Sequence, residues 1–402
     1  MMTADEALAW LLARAKAVEG TEEVAVEEAL GRVLAENVAA TVSAPPLDNS
    51  AMDGYAVRLA DLDPEGETTL PVSQRIPAGH VGQPLAQGTA ARIFTGAPVP
   101  PGADAVVMQE HCTEADGRVT VQRVPKVGAN VRRAGEDFAA GATVLLAGTR
   151  LGPQHQGLAA AAGHARLKVA RRLKVAAFFT GDEIVMPGEP LKPGQIYNSN
   201  RFTLRGLLQG LGCEVVDLGI VPDRFDATVD VLRQGARQAD AVITSGGVSV
   251  GEEDHVKAAV ESIGKLTMWK VAMKPGKPLA FGELDGAFFL GLPGNPVSAF
   301  VTFCLFVRPF LLRCQGVQQV APAAYTLPAA FEWKKPGDRR EFARARLDIG
   351  EDGAPVATLY PNQSSGALSS VAWANGLVEL PEGKTVERGQ GVKFIPFSGL
   401  LS

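Results

Sequence analysis

The chain has 402 residues, 46% of them hydrophobic and 21% charged, a composition that fits a globular protein of two to four domains. A formal net charge of −5 excludes a global basic field for nucleic acid, so any polyanionic ligand has to be met by local lysines and arginines. Cys112, Cys213, Cys304 and Cys314 are far apart and form no Cys-x-x-Cys pair, which suits a reducing cytoplasm. The first ten residues carry acids and lack the basic-then-apolar layout of a signal peptide. The most apolar run, Val297 to Leu312, is broken by Ser298 and Arg308 and is too short to span a bilayer. It is read as a buried helix, and neither a membrane nor a nucleic acid is expected as a partner.

Thr3-Ala-Asp-Glu6 is a capping box, followed by Leu8, Leu11, Leu12, Ala15 and Val18 at helical spacing. A second short helix is expected over residues 26–34. From about Pro45, short alternating runs (90–94, 105–109 and 118–124) are separated by Pro/Gly clusters, the pattern of a β segment. Short strands are expected between Asn130 and Gly148, and a helix over 153–162 ends at Gly163. Past about Arg171 the rhythm changes to alternating strands and helices. Strands are expected at 173–179, 215–218, 240–244, 279–281 and 287–290, with helices at 200–211, 227–238, 254–263 and 297–312. That alternation predicts a parallel sheet covered on both faces. After Pro322 the pattern returns to β with no strong helix. The fold class is therefore α/β plus β and multidomain. We divide it into a mixed N-terminal part (1–44 and 127–168), a β-rich insertion (45–126), an α/β domain (169–318) and a C-terminal β domain (319–402).

Chemistry-bearing residues collect in the α/β part. An apolar run through Ile243 stops at Thr244-Ser245 and opens into Gly246, Gly247, Ser249 and Gly251. A buried strand that empties into a glycine loop at a helix start presents bare N–H groups to an anion. Glu252, Glu253 and Asp254 follow at once and fit a metal ion held beside that anion. Ligands of an open parallel sheet bind at the carboxyl ends of its strands. The other loops there are Thr180-Gly-Asp-Glu183, Gly219 to Asp223, and Pro293-Gly-Asn-Pro296. Lys274-Pro-Gly-Lys277-Pro presents two ammonium groups from a stiffened turn, which suits phosphate.

Further islands lie elsewhere. Leu47 to Ala56 packs Asp48, Asn49, Ser50, Asp53 and Tyr55 into one loop, and Thr95-Gly-Ala97 and Gly135-Glu-Asp137 are smaller loops of the same kind. Near the C-terminus Arg340, Phe342, Arg344 and Arg346 share a strand face beside Arg339, and Pro361 to Gly366 offers amide and hydroxyl donors. No two of the five histidines form a metal-ligand motif.

In this order, these islands resemble the molybdopterin molybdenumtransferase family, the MoeA-type proteins and the gephyrin E domain. The resemblance rests on Ser50 to Ala56, Thr95 to Ala97 with Gly102 to Val106, Gly135 to Asp137, Thr180 to Glu183 and Gly194 to Asn200. It continues through Ser245 to Gly251, Lys274 to Pro278 and Pro293 to Ser298. It implies a MogA-like molybdopterin-binding α/β domain and an N-terminal dimerisation domain. The implied activity belongs to molybdenum cofactor synthesis: molybdate is inserted into adenylylated molybdopterin with Mg2+-dependent release of AMP. The implied partner is a second copy of the chain, together with other cofactor-synthesis proteins.

By the same resemblance Asp53, Asp137, Glu183, Asp254, Lys274 and Lys277 are catalytic, with Glu183 and Asp254 as metal ligands. Asp223 holds metal or orients water, and Thr180, Ser245, Gly246, Gly247, Ser249, Gly251, Pro293 and Asn295 contact substrate. Asp53, Thr95 and Asp137 reach in from the partner, and Arg344 and Ser365 hold an oxyanion at the rim. The rim stretch Gly337-Asp-Arg-Arg-Glu-Phe-Ala-Arg344 has one residue more than the family pattern before Glu-Phe, which leaves Arg339, Arg340 and Arg344 as alternatives there. The α/β domain alone would also fit an ATP-dependent molybdopterin adenylyltransferase, or a molybdopterin-binding scaffold.

Overall fold

The structure, a computed structural model, describes residues 1–248 and 255–401. Its central sheet is built from β1 (Lys174–Thr180), β2 (Glu214–Val221), β3 (Ala241–Ser245), β4 (Gly264–Lys270), β5 (Pro278–Leu284) and β6 (Ala287–Leu292), in the order 2-1-3-6-5-4. The β2–β1, β1–β3 and β3–β6 pairs are parallel, while β6–β5 and β5–β4 are antiparallel. The expectation of a wholly parallel sheet therefore holds for four strands only. β5 and β6 are joined by a tight turn at Asp285-Gly286, and such a hairpin forces antiparallel pairing.

β1 and β3 are buried almost throughout, as central parallel strands covered on both faces must be. Successive side chains of β1 point to opposite faces. Val175, Ala177 and Phe179 join the core under Ser199–Gly210 and the long Pro296–Cys314 helix. Ala176 and Phe178 join the core under Phe225–Gln238 and His255–Ile263. The Pro296–Cys314 helix has the length and apolar character of a membrane span but is 89% buried inside the fold. It is a core helix as expected, although the helix proves longer than the Val297 to Leu312 run and is not too short for a span.

The helix expected from the capping box forms at Ala4–Leu12, with the Thr3 side chain accepting from the Glu6 N–H and the Glu6 carboxylate from the Thr3 N–H. It packs chiefly on the α/β part. Ala4, Ala7 and Leu11 join the α/β core, and Trp10 meets Phe281 edge-on at 5.6 Å. The helix expected over residues 26–34 is only a 3-10 turn, Val26–Glu28. Gly31 sits at φ +73, and Val33 and Leu34 turn into bridges with Arg150 and Val169.

The insertion forms a six-stranded sheet in the spatial order Ala105–Met108, Gly54–Val57, Ala90–Ile93, Thr68–Ile76, Arg118–Val121, Cys112–Ala115. The C-terminal sheet is built around Arg340–Ile349, Gly376–Leu380 and Gly391–Pro396, with one short helix, Ser369–Trp373. Met273–Lys274, from the lysine turn of the α/β segment, adds to the edge of this sheet and pairs in parallel with Arg340–Glu341. That pairing, together with Phe342, Leu377, Ile395 and Phe397 joining the α/β core, joins the C-terminal sheet to the α/β part.

Candidate active site

A cavity of about 1220 Å³ opens where β1, β2, β3 and β6 end. Thr180 and Ser245 are the last residues of β1 and β3, Pro293 follows β6, and Asp223 lies just past β2. All four parallel strands thus deliver a polar group or a turn to one opening, the place where a sheet of this kind binds ligands.

Ser245 ties three of the loops together. Its buried hydroxyl donates to the Pro293 carbonyl at 2.8 Å and accepts from Asn200 Nδ2 at 2.8 Å. Asn200 Nδ2 also donates to the Gly294 carbonyl at 2.7 Å. Asn198, two residues earlier, caps the Ser199–Gly210 helix by accepting from the Arg201 N–H at 3.1 Å. Both asparagines line the cavity. Sequence reasoning gave them no role, although Asn-Ser-Asn ahead of a helical run is a capping signal.

The glycine loop needs its glycines. Gly246 has φ +102, and a Cβ there would lie 2.8 Å from the Thr180 carbonyl oxygen. The Gly246 N–H is taken by the Leu292 carbonyl at 3.1 Å, so the loop's first free donor among the described residues is Gly247. Ser249, Gly251, Glu252, Glu253 and Asp254 lie outside the described residues.

The opposite wall comes from the lysine turn and the C-terminal domain. Lys274 pairs with Glu341 at 3.1 Å, whereas the exposed Lys277 makes no ion pair among the described residues. Arg339 and Ser365 line the cavity, and the Ser365 carbonyl accepts from the Val297 N–H at 3.0 Å. Arg344 does not line it. The side chain is fully buried, donating to the Ser370 hydroxyl and the Ser364 and Phe342 carbonyls, and burial lowers its pKa to about 10. Arg340 is spent on Asp5, with two contacts of 2.9 Å. Of the three rim arginines, geometry therefore places Arg339 at the cavity. Arg344 braces the turn that carries Ser364 and Ser365.

Asp53, Thr95 and Asp137 do not line this cavity. They lie in loops knitted together in the N-terminal half. The Asp53 carboxylate accepts from the Thr95 N–H and hydroxyl, both at 2.8 Å, and the backbone donor above all holds its pKa below the usual range. Asp48 accepts from Ala134 N–H and Arg133 Nη1, which brings the Gly135-Glu-Asp137 turn against the Leu47 to Ala56 loop.

Several buried polar atoms around the cavity lack hydrogen-bond partners among the described residues: Thr180 Oγ1, Asn198 Nδ2, Asn200 Oδ1, Asp223 Oδ1 and Glu341 Oε1. Folded chains rarely leave such atoms unpaired without a functional reason. Among the described residues no three His, Cys, Asp or Glu side chains converge as a closed metal cage. Among the described residues, the carboxylates on the cavity are those of Glu183 and Asp223.

A multidomain α/β and β fold with a polar, lysine-flanked cavity at its strand ends is the design of an anion-handling enzyme. Its sequence matches the MoeA N-terminal region (domain I and II) over residues 2–163, a probable molybdopterin binding domain over 176–313 and the MoeA C-terminal region (domain IV) over 326–397. A molybdopterin molybdenumtransferase from Haemophilus influenzae is 43% identical, and the alignment covers 100% of both chains. One from Nostoc is 39% identical over 91% of this chain and 86% of its own length. The crystal structure of a molybdopterin biosynthesis moeA protein from Pyrococcus horikoshii superposes with a TM-score of 0.85 at 30% identity, covering 98% of this chain and 100% of that one. The chain belongs to the molybdopterin molybdenumtransferase family.

Proposed function

We propose that the cavity binds adenylylated molybdopterin and inserts molybdate into its dithiolene as AMP is released. Family membership makes the chain a transferase of molybdenum cofactor synthesis. The observation that carries the finer reading is the meeting of hydroxyls, a glycine loop and two lysines at the ends of four parallel strands. Gly247 and the hydroxyls of Thr180 and Ser245 meet the phosphates, and Lys274, Lys277 and Arg339 balance the charge of phosphate and incoming molybdate. Hydrolysis joins a water oxygen to the adenylyl phosphorus and breaks its bond to the bridging oxygen. AMP and molybdopterin phosphate separate, and the proton passes to solvent or a carboxylate.

Mg2+ binds through one or two carboxylates completed by substrate phosphate and water. Glu183 and Asp223 fit that pattern, and Asp223 Oδ1 is a buried donor oxygen with no partner among the described residues. When bound, the ion would neutralise charge on the phosphate oxygens, while Glu183 and Asp223 keep the water oriented. Asp53, Thr95 and Asp137, on three neighbouring loops, do not line the cavity of their own chain. A second copy of the chain supplies those loops in the homodimer we infer. The free thiols of all four cysteines suit a cytoplasmic setting.

The test is reconstitution. The chain, adenylylated molybdopterin, molybdate and Mg2+ are incubated together and the product is offered to an apo-molybdoenzyme. Activation that needs both the chain and molybdate is expected. Equal activation without the chain would sink the reading.

A further inference from the structure

Lys274 and Lys277 sit two residues apart on one stiff turn, yet the structure treats them differently. Lys277 is exposed and makes no ion pair among the described residues. Lys274 is pinned: Glu341 Oε2 accepts from Nζ at 3.1 Å, while half of the lysine side chain stays open to the cavity. Glu341 is itself only 5% exposed, and its second oxygen has no hydrogen-bond partner among the described residues. A buried carboxylate whose one direct ion pair among the described residues is to Lys274 is costly to keep. The backbone explains how it is held. Lys274 and Glu341 stand directly opposite each other in the parallel pairing of Met273–Lys274 with Arg340–Glu341.

We propose that Glu341 is a positioning residue, which fixes the Lys274 ammonium at the cavity so that its remaining donors meet the substrate anion in one place. A lysine ammonium is a compact charge on a flexible stem. Ordering such a side chain at the moment of binding weakens affinity roughly three- to tenfold, and Glu341 imposes that order before the anion arrives. The C-terminal domain thereby acts on the anion through Lys274 without touching it. The inference rests on the reading of the cavity as an anion site.

The test combines a ligand-binding cycle with a ligand-free measurement. Inorganic pyrophosphate binding is measured by calorimetry, and the KM for molybdate by turnover, in the wild type, Glu341→Gln, Lys274→Ala and the double variant. Thermal melting confirms that each variant is folded. The expected result is a three- to tenfold loss of pyrophosphate affinity, and a rise in KM that exceeds any fall in kcat, for Glu341→Gln on the wild-type background. On the Lys274→Ala background the same substitution should do nothing further. Equal losses on both backgrounds, or no loss on either, would overturn the assignment. Acetylation rates at Lys274 and Lys277, read by mass spectrometry on the ligand-free chain, separate this idea from the functional one. Glu341→Gln should speed modification of Lys274 and leave Lys277 unchanged. Unchanged Lys274 rates would reject the pin. If the rates change but wild-type chain neither binds pyrophosphate nor turns over, the anion-site reading fails while the pin stands, and its role in positioning for an anion fails with it.

Discussion

Ser245→Ala tests how the strand ends are held together. Its hydroxyl is 4% exposed with its residue, accepts from Asn200 Nδ2 at 2.8 Å and donates to the Pro293 carbonyl at 2.8 Å. Asn200 Nδ2 keeps its second acceptor, the Gly294 carbonyl at 2.7 Å, so its loss is partial. The Pro293 carbonyl keeps none of the bonds described for it and is buried. A net hydrogen bond contributes about 1 kcal/mol and an orphaned buried group costs about 1–3 kcal/mol. Because the Pro293 carbonyl is orphaned, the second figure applies, and the substitution should cost about 1–3 kcal/mol. Urea unfolding is the assay, with the midpoint falling while the slope stays constant. Because the freed turn carries Pro293 and Asn295 at the cavity, KM should rise together with the loss of stability. A shift below about 0.5 kcal/mol with unchanged KM would show that this hydroxyl does not hold the loops.

Other positions give independent checks. Gly246→Ala puts a Cβ 2.8 Å from the Thr180 carbonyl at φ +102, which should cost about 1–3 kcal/mol of strain and lower anion affinity; an alanine variant with wild-type binding would contradict the close approach. Burial pushes the thiols of Cys213, Cys304 and Cys314 up to about 12 and that of Cys112 up to about 11, so the folded chain should resist alkylation at pH 8 while the unfolded chain reacts at all four. Fast labelling of any of the three buried thiols in the folded chain would count against the core packing.

Asp240 supplies the pH prediction. Burial works to raise its pKa but is outweighed by hydrogen bonds from Arg171 and the Lys174 N–H, so the carboxyl lies below its ordinary value. A carboxylate depressed in the folded state stabilises above its unfolded pKa of about 3.9 and loses that contribution as pH falls through the folded value. Asp240→Asn should thus be less stable than wild type at pH 7 and converge with it in strong acid. Parallel stability curves across that range would refute the pairing.

Much of the site was legible because it follows from chain order and period. Thr180 and Ser245 end apolar strands and Pro293 and Asp223 lie just past two others, and in a parallel sheet those ends converge whatever the side chains do. The features that escaped are long-range. Nothing local marks Met273–Lys274 as a strand of the C-terminal sheet, since its partner lies some seventy residues downstream at Arg340–Glu341. The same distance hid the Glu341 pairing and the choice of Arg339 over Arg344 at the cavity. Arg344 looks like an exposed anion binder in sequence because an arginine on a strand gives no local sign of being buried. The helix expected over residues 26–34 had the right apolar spacing, but it needed Leu30 inside, and Leu30 is 56% exposed. Tertiary bridges at Val33 and Leu34 overrode it.

The central claim is that this cavity couples molybdate insertion to cleavage of the adenylyl bond. Its most direct test is the time course of AMP released from adenylylated molybdopterin, with Mg2+ present and molybdate added or withheld. AMP appearing only with molybdate, one per molybdenum inserted, is the predicted result; AMP released at the same rate without molybdate, or none in either case, would contradict it.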